Sequence, residues 1–146
     1  HVMMRGRIVK SGSAELARAV LEGLALNLRW MRDPVQKLVK RRFSHYTCYG
    51  GGARSDLWCQ ILADALDRPV NQLADPHLTV ADGVALLALQ ALGLRALDAG
   101  SGPVCRIYDP DPAAVAVYDR IAPQLAKAHT ATRPIVRALT RPDAGA

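Results

Sequence analysis

The sequence predicts an α/β fold in which a few short parallel strands are packed by several helices. Three observations lead to this expectation. Apolar residues repeat at helical spacing in four segments, two short β-prone runs lie between helices, and the two kinds of segment alternate along the chain. Such alternation favours neighbouring parallel strands joined by helical crossovers. Two short strands make a poor sheet by themselves, so we expect some strands to be missing.

The composition is typical of one folded domain. The chain has 146 residues, of which 50% are hydrophobic and 22% are charged, enough to bury a sizeable core. The three cysteines, Cys48, Cys59 and Cys105, lack metal-ligand spacing and indicate reduced thiols in a cytoplasmic protein. No apolar run approaches the roughly 20 residues that span a bilayer, so we expect no membrane association. Because the chain begins with His1 and not Met, we interpret it as a processed product or a piece of something longer.

The net charge of +6 and the sequence pI near 9.7 raise the question of nucleic-acid binding. Part of the charge is clustered in Lys37, Lys40, Arg41 and Arg42, where a helix is predicted to end. Cations are favourable at a helix C-terminus, so a solvated helix end explains this cluster. Few aromatic residues lie nearby to stack on bases. We therefore predict no nucleic-acid partner.

The first predicted helix follows an N-terminal segment, residues 1–10, that has no clear period. Ser13 is the expected N-cap, and Pro34 should kink or restart the helix. Its apolar stripe consists of Leu16, Val20, Leu24, Leu28 and Met31. Leu24, Leu26, Leu28 and Met31 form an apolar face wider than two strands can cover, which motivates the hypothesis of a homodimer.

A glycine stretch follows the first predicted strand, which runs from Phe43 to Tyr49. Gly50, Gly51 and Gly52 allow a sharp turn and a close approach of the backbone to a ligand. The next helix, capped by Ser55 or Asp56, would direct its unpaired N–H groups at the same place, which favours an anion. Glycines also serve for turning alone, and the spacing leaves both interpretations open.

The remaining segments complete the alternation. Residues 70–73 are predicted as the second strand. A third helix, ending at Leu92, is apolar almost all round and should be buried. Gly93 to Val104 is predicted as a loop, and Asp111 followed by Pro112 predicts the start of the last helix. We expect a loose tail from Thr130 onward.

Three blocks of the sequence resemble the C-terminal half of the FGGY-family carbohydrate kinases, most closely the xylulokinase-like members. Residues 15–23 (ELARAVLEG) look like the second half of the family's C-terminal signature helix, although Arg7 upstream stands where the family has an aliphatic residue. Residues 50–64 (GGGARSDLWCQILAD) with Arg68-Pro69-Val70 are similar to its nucleotide-binding block. The segment from Tyr108 to Pro112, with Tyr118-Asp119, looks like its closing helix. The blocks keep a consistent order over residues 4–125.

The resemblance implies a partial actin-like, ribonuclease-H-like ATPase domain that holds the adenine nucleotide of a sugar kinase. The domain would cover residues 1–129, incomplete at its N-terminal side, with residues 130–146 as the loose tail. The resemblance places these residues at ATP: Gly50, Gly51, Gly52, Ala53, Ser55 and Gly83. Asp82 departs from the family, which often has Arg or Leu there, and would put a negative charge near the triphosphate.

The catalytic machinery of such kinases lies elsewhere. The resemblance implies that the catalytic Asp, the phosphate loop and most sugar contacts lie in an N-terminal domain, which we expect to be missing from this chain. We therefore predict no catalytic residue and no metal site in the chain, with ATP and Mg²⁺ as the kinase's cofactors and a sugar or polyol as the substrate bound through the missing domain. Phosphoryl transfer needs groups that converge from both sides of a cleft. The isolated chain should therefore be inactive.

Two other functions compete with this interpretation. The chain could be a standalone module that binds an adenine nucleotide or docks on a partner, without kinase activity. A basic nucleic-acid-binding domain is permitted by the net charge. An independent site is not indicated, because His45, His77 and His129 share no spacing with acids or thiols, and Cys59 is interpreted as a packing residue.

Overall fold

The computed structural model describes residues 2–4, 7–9, 12–94 and 102–139. The described part contains five strands, four α-helices and one short 3-10 helix. In chain order they are β1 (Val2–Met4), β2 (Arg7–Val9), α1 (Ser13–Leu38), β3 (Tyr46–Cys48), the 3-10 helix (Gly51–Arg54), α2 (Asp56–Leu66), β4 (Val70–Leu73), α3 (Thr79–Ala91), β5 (Val104–Tyr108) and α4 (Pro112–Leu139).

The main sheet has the order β3-β4-β5. The pair β3 and β4 is parallel, with Tyr46 opposite Val70, as the alternation of helices and strands predicted. The third strand, β5, runs antiparallel to β4 and places Tyr108 opposite Val70. Its first residue, Val104, was predicted to end a loop. The β5 residues are mostly exposed and only Tyr108 is buried, so the strand has no alternating apolar pattern to reveal it.

The N-terminal segment also differs from expectation. Instead of irregular chain, β1 and β2 form an antiparallel pair in which Val2 lies opposite Val9. This pair packs beside α1 and is separate from the main sheet. The strands are three residues each, too short to show a period in the sequence.

The core forms around α2, which contacts α1, α4 and β4. Ile61, Cys59 and Val70 are almost fully buried. The other buried residues of this cluster come from α1, α2, β5 and α4; they are Ala25, Leu26, Leu62, Ala63, Ala65, Leu66, Tyr108, Tyr118 and Ile121. Each fully buried Val, Leu or Ile side chain stabilises the fold by about 1.5–3 kcal/mol.

Helix α1 continues through Pro34 up to Leu38 without restarting. Ser13 was predicted as the N-cap, but Gly12 occupies that position and Ser13 is the first residue of the helix. Two arginines of α1 cap the C-terminal end of α2: Arg29 Nη1 donates to the Ala65 carbonyl (3.1 Å) and Arg32 Nη1 donates to the Leu66 carbonyl (2.9 Å). Cations are favourable at this end of a helix, so these contacts fix α1 against α2.

The predicted caps of α2 and α4 are confirmed. At the start of α2, the Trp58 N–H donates to Ser55 Oγ (3.3 Å). At the start of α4, the Ala113 N–H donates to Asp111 Oδ1 (2.9 Å), and Pro112 is the first helical residue. Each cap satisfies an N–H group that has no partner inside the helix.

Two expectations about exposed parts of the chain are wrong. Helix α3 was predicted to be buried, but none of its residues is; Val84 and Leu87 are 62% and 58% exposed. An apolar surface is buried only where another element covers it, and none of the described elements does so here. The loose tail expected from Thr130 is helical up to Leu139, because α4 continues through Pro134. Residues 140–146 lie outside the described residues.

Candidate functional site

The glycine stretch forms a tight turn at the C-terminal end of β3. Gly50 has φ 85° and ψ 177°, a conformation that favours glycine because a Cβ would be strained there. The chain then enters the 3-10 helix, whose first residues are Gly51 and Gly52. The Gly50 N–H donates to the Pro76 carbonyl, which ties this turn to the segment after β4. The sequence predicted the glycine turn but not the 3-10 helix that separates it from α2.

Space is open around the turn. A Cβ built on Gly51 would meet nothing within 4 Å, and one on Gly52 would only touch the Trp58 indole at 3.5 Å. The first N–H groups of a helix have no partner within it, and both glycines are exposed. The turn therefore presents backbone donors to solvent, with room for a ligand to approach closely.

Ala53 and Ser55 have different surroundings. Ala53 is fully buried, so it has no surface that a ligand could contact directly. It can only support the residues of the turn. Ser55 is exposed at the junction of the 3-10 helix and α2. Its oxygen accepts the Trp58 N–H. Its O–H remains a donor, because a hydroxyl has one donor and two acceptor positions.

A buried amide, which the sequence analysis missed, holds this turn in place. Gln72 of β4 donates from Nε2 to the Ala53 carbonyl (2.6 Å). The Tyr108 hydroxyl lies 3.2 Å from Gln72 Oε1 and donates to Asp56 Oδ1 (2.7 Å). These contacts connect β5, β4, the turn and the first residue of α2. No pattern in the sequence identifies Gln72, because a buried amide in a short strand has no characteristic spacing.

Two titratable side chains beside the turn have shifted pKa values. The hydrogen bond from Tyr108 is the main cause that holds the pKa of Asp56 below its usual value, and Arg106 contributes, with Nη1 3.0 Å from Asp56 Oδ2. Burial raises the pKa of Cys59 to about 12, so its thiol stays protonated. This agrees with the interpretation of Cys59 as a packing residue.

Gly83 lies on α3, in the second turn of the helix. A Cβ there would meet nothing within 4 Å. Among the described residues, no hydrogen bond connects Gly83 with the glycine turn. The contact between Gly50 and Pro76 does bring the segment that leads into α3 beside the turn. The structure therefore groups Gly50, Gly51, Gly52, Ala53 and Ser55, with Gly83 on a separate element.

Two other kinds of feature are absent from the described residues. No group of three or more His, Cys, Asp and Glu side chains could hold a metal ion. In the same part of the chain, no helix is both long and apolar enough to cross a membrane.

Comparisons with known proteins connect this geometry with one family. Residues 2–92 match the C-terminal domain of the FGGY family of carbohydrate kinases. L-fuculokinase of Escherichia coli (strain K12) is 41% identical over 76 residues, which are 52% of this chain and 16% of that enzyme. The chain therefore spans only about a sixth of the length of this relative.

Solved structures give the same result. Xylulose kinase from Rhodospirillum rubrum superposes with a TM-score of 0.67 and 30% identity, covering 89% of this chain and 26% of that protein. A xyloylose kinase from Brucella ovis has a TM-score of 0.71 and 25% identity, covering 89% and 28%. The resemblance and the actin-like, ribonuclease-H-like fold class predicted from the sequence are both confirmed. The chain belongs to the FGGY family of carbohydrate kinases, as part of the C-terminal domain.

Proposed function

We propose that this chain holds ATP for a sugar kinase, at the glycine turn and the start of α2. The observation that carries the proposal is the combination of a glycine turn, exposed N–H groups and open space over Gly51, directly before a helix N-terminus. Gly50 sets the turn, Gly51 and Gly52 offer close backbone approach, and Ser55 offers its hydroxyl hydrogen. Ala53 supports the turn from below.

Gly83 has a separate role in the proposal. It would allow α3 to pass close to the nucleotide, because a side chain at this position would occupy the open space in front of the helix. Asp82, beside it, is exposed in the first turn of α3. Its carboxylate would repel a triphosphate at short range, so we expect the phosphates to lie toward the glycine turn.

Mg²⁺ would arrive with the nucleotide. This ion is typically held by one or two carboxylates together with substrate phosphates. Since the described residues contain no cluster of three potential metal ligands, we propose that ATP phosphates and residues outside the described part supply the coordination.

The reaction proposed for the whole kinase is transfer of the γ-phosphoryl group of ATP to a hydroxyl of a sugar or polyol, in the cytoplasm. The three free cysteines support this compartment. This chain would supply the nucleotide side of the cleft only. We expect the chain alone to bind ATP without turning it over, and activity to return when the remaining part of the kinase is added.

Titration calorimetry with ATP and ADP tests the proposed site. Gly51→Ala should weaken binding by about tenfold or more, because the added methyl group meets no protein atom but occupies the path of the ligand. Gly83→Ala tests the α3 position in the same way. Gly23→Ala on α1 is the matched control, since its Cβ also meets nothing within 4 Å. Unchanged affinity in Gly51→Ala would refute the glycine turn as the site.

Self-association is a further part of the proposal. On α1, Leu24, Leu28 and Met31 are 51%, 45% and 53% exposed, whereas Leu26, which the sequence assigned to the same face, is buried in the core. Such a continuous apolar stripe favours a homodimer of the isolated chain. Light scattering that shows a monomer at high concentration would exclude it.

A further inference from the structure

A pocket of about 500 Å³ lies at the other end of β3 from the glycine turn. It forms where α1 ends and the chain returns to the sheet. Its walls contain seven basic and two acidic residues. The basic residues are Arg29, Arg32, Lys37, Lys40, Arg41, Arg42 and Arg68, and the acidic ones are Asp33 and Asp67. We call it the basic pocket.

Internal contacts account for only some of these charges. Arg32 pairs with Asp33 (3.0 Å) and Arg68 pairs with Asp67 (3.2 Å). Arg29 pairs with Asp119 of α4. Within the described residues, no carboxylate forms an ion pair with the other four, which are Lys37, Lys40, Arg41 and Arg42. The basic pocket therefore has four exposed positive charges that form no ion pair within the described residues.

A solvated helix end, which the sequence predicted here, explains only part of this arrangement. Lys37 lies in the last turn of α1, where the helix dipole favours a cation. Arg41 and Arg42 lie beyond the helix, yet both contribute to the wall of the same pocket. Water and salt screen part of the repulsion between these exposed cations, and an anion bound between them would reduce it further.

The loop that follows α1, residues 39–43, is held in a defined conformation. The Lys40 N–H donates to the Lys37 carbonyl and the Arg41 N–H to the Gln36 carbonyl (3.1 Å), which together close a Schellman motif. The side chain of Gln36 accepts the Phe43 N–H (2.9 Å). The left-handed position of this motif usually holds glycine, but here it holds Lys40, with φ 51°. Lys40 therefore occupies a backbone conformation that is unfavourable for a residue with a side chain, as Asp67 also does.

Tyr46, one of the residues that line the pocket, carries an unsatisfied polar group. The Tyr46 hydroxyl is buried and has no hydrogen-bond partner among the described residues. Arg32, Arg68 and Asp33, all in the pocket wall, are the charges that act on this phenol. Buried hydroxyls normally have a partner. The oxygen itself is closed to solvent, so the hydroxyl is a feature of the pocket wall and not a contact point for a ligand.

We propose that the basic pocket binds a small molecule that carries two or more phosphate groups. Guanidinium groups match phosphate oxygens in pairs, and four cations without an ion pair among the described residues suit more than one phosphate. A volume of about 500 Å³ is typical of small-molecule sites. The site does not depend on the nucleotide site proposed above, because the two lie at opposite ends of β3.

Titration of the whole chain with pyrophosphate at low salt tests the proposal. The double variant Arg41→Gln/Arg42→Gln should bind pyrophosphate about tenfold more weakly. Arg133→Gln/Arg137→Gln on the exposed end of α4 removes the same charge and should leave the affinity within about twofold. An equal loss in both variants would show general charge attraction and overturn the proposal.

Lys40→Gly gives an independent test. Glycine relieves the left-handed backbone, so the melting temperature should rise while pyrophosphate binding weakens. If Lys40 had only a structural role, Lys40→Gly would raise the melting temperature and leave pyrophosphate binding unchanged. That result would contradict the proposal. Because this variant is expected to be more stable, a loss of binding cannot come from unfolding.

Three other outcomes would overturn the proposal. The unaltered chain could fail to bind pyrophosphate. Gly51→Ala could weaken pyrophosphate binding as much as Arg41→Gln/Arg42→Gln does, which would place the anion at the glycine turn. A short DNA duplex could bind more tightly than pyrophosphate and lose affinity in Arg41→Gln/Arg42→Gln, which would make the surface a nucleic-acid interface. Pyrophosphate binding that the pocket variants weaken and that Gly51→Ala leaves unchanged would support the proposal.

Discussion

Helices α2 and α3 are both rich in apolar residues and each follows a strand of the main sheet, yet their surroundings differ. Helix α2 buries Cys59 and every residue from Ile61 to Leu66. Helix α3 buries none of its residues. The first is covered by α1, α4 and the sheet, whereas the second leaves side chains such as Leu87 in solvent. An apolar helix can therefore be buried, but it is buried only where another element of the fold packs against it.

The side chains of the two helices should therefore contribute very differently to the free energy of unfolding. Removing a buried side chain costs transfer free energy and leaves a cavity, whereas an exposed side chain contributes little to folding. The two helices therefore allow paired substitutions of the same chemical type, in which α3 serves as the control for α2.

The largest difference is expected between Ile61→Ala and Leu87→Ala. Ile61 is 1% exposed and Leu87 is 58% exposed. Ile61→Ala should lower the free energy of unfolding by about 2–5 kcal/mol, and Leu87→Ala by less than about 0.5 kcal/mol. Urea unfolding followed by circular dichroism measures both.

If Ile61→Ala fails to fold, Ile61→Val provides a milder version, with an expected loss of about 0.5–1.5 kcal/mol. A large loss in Leu87→Ala would contradict the comparison. It would mean that α3 is covered in solution, for example by a second copy of the chain, and gel filtration at several concentrations would reveal this.

A smaller effect is expected for the buried carboxylate Asp64. Its Oδ1 accepts the Asp111 N–H (2.9 Å) and the side chain of Gln60 (2.8 Å), so it joins α2 to the start of α4. Asp64→Ala should cost about 1–3 kcal/mol, because these donors lose their partner. Asp82→Ala on α3 is the matched control. Equal urea midpoints for the two variants would contradict the prediction.

The helix starts give a third comparison. Ser55 caps α2 through its side chain, while Leu78 at the corresponding position of α3 provides no side-chain cap. Ser55→Ala should therefore destabilise the protein by about 1 kcal/mol. Thr79→Ala, at the start of α3, should have a smaller effect. Thermal unfolding measures both, and no change in Ser55→Ala would show that the cap contributes nothing.

The smallest effect concerns pH and the buried thiol of α2. The pKa of Cys59 is raised from 9.0 to about 12, mainly by burial. A raised pKa gives stability that is present below pH 9 and is lost as the pH rises toward 12. Between pH 8 and 9.5 the loss from this thiol should stay below about 1 kcal/mol.

Urea unfolding of the chain and of Cys59→Ala at pH 8 and 9.5 tests this prediction. The variant should lose less stability over this interval, because it has no thiol at this position to ionise. The exposed thiol of Cys105 should react with a thiol reagent in the folded state, and Cys59 only after unfolding. Rapid reaction of Cys59 in the folded protein would contradict its burial.

The sequence was sufficient for features that depend on local chemistry. Ser55 and Asp111 as caps, the glycine turn, and the pairing of β3 with β4 all follow from short-range preferences and from the alternation of helices and strands. It was insufficient for features that depend on distant neighbours. The exposure of α3, the antiparallel strand β5 and the support of the turn by Gln72 are set by elements far away in the chain. Because Arg41 and Arg42 were interpreted as a helix end, the concave basic pocket was not foreseen.

The hydrogen bond from Gln72 to the Ala53 carbonyl has a consequence for binding kinetics. Because the middle strand of the sheet anchors the turn, the backbone beside Gly51 and Gly52 is ordered before any ligand arrives. A preordered loop gives up little conformational entropy on association. Nucleotide binding at this turn should therefore proceed in a single kinetic phase, with an association rate proportional to ligand concentration and no slow rearrangement of the loop.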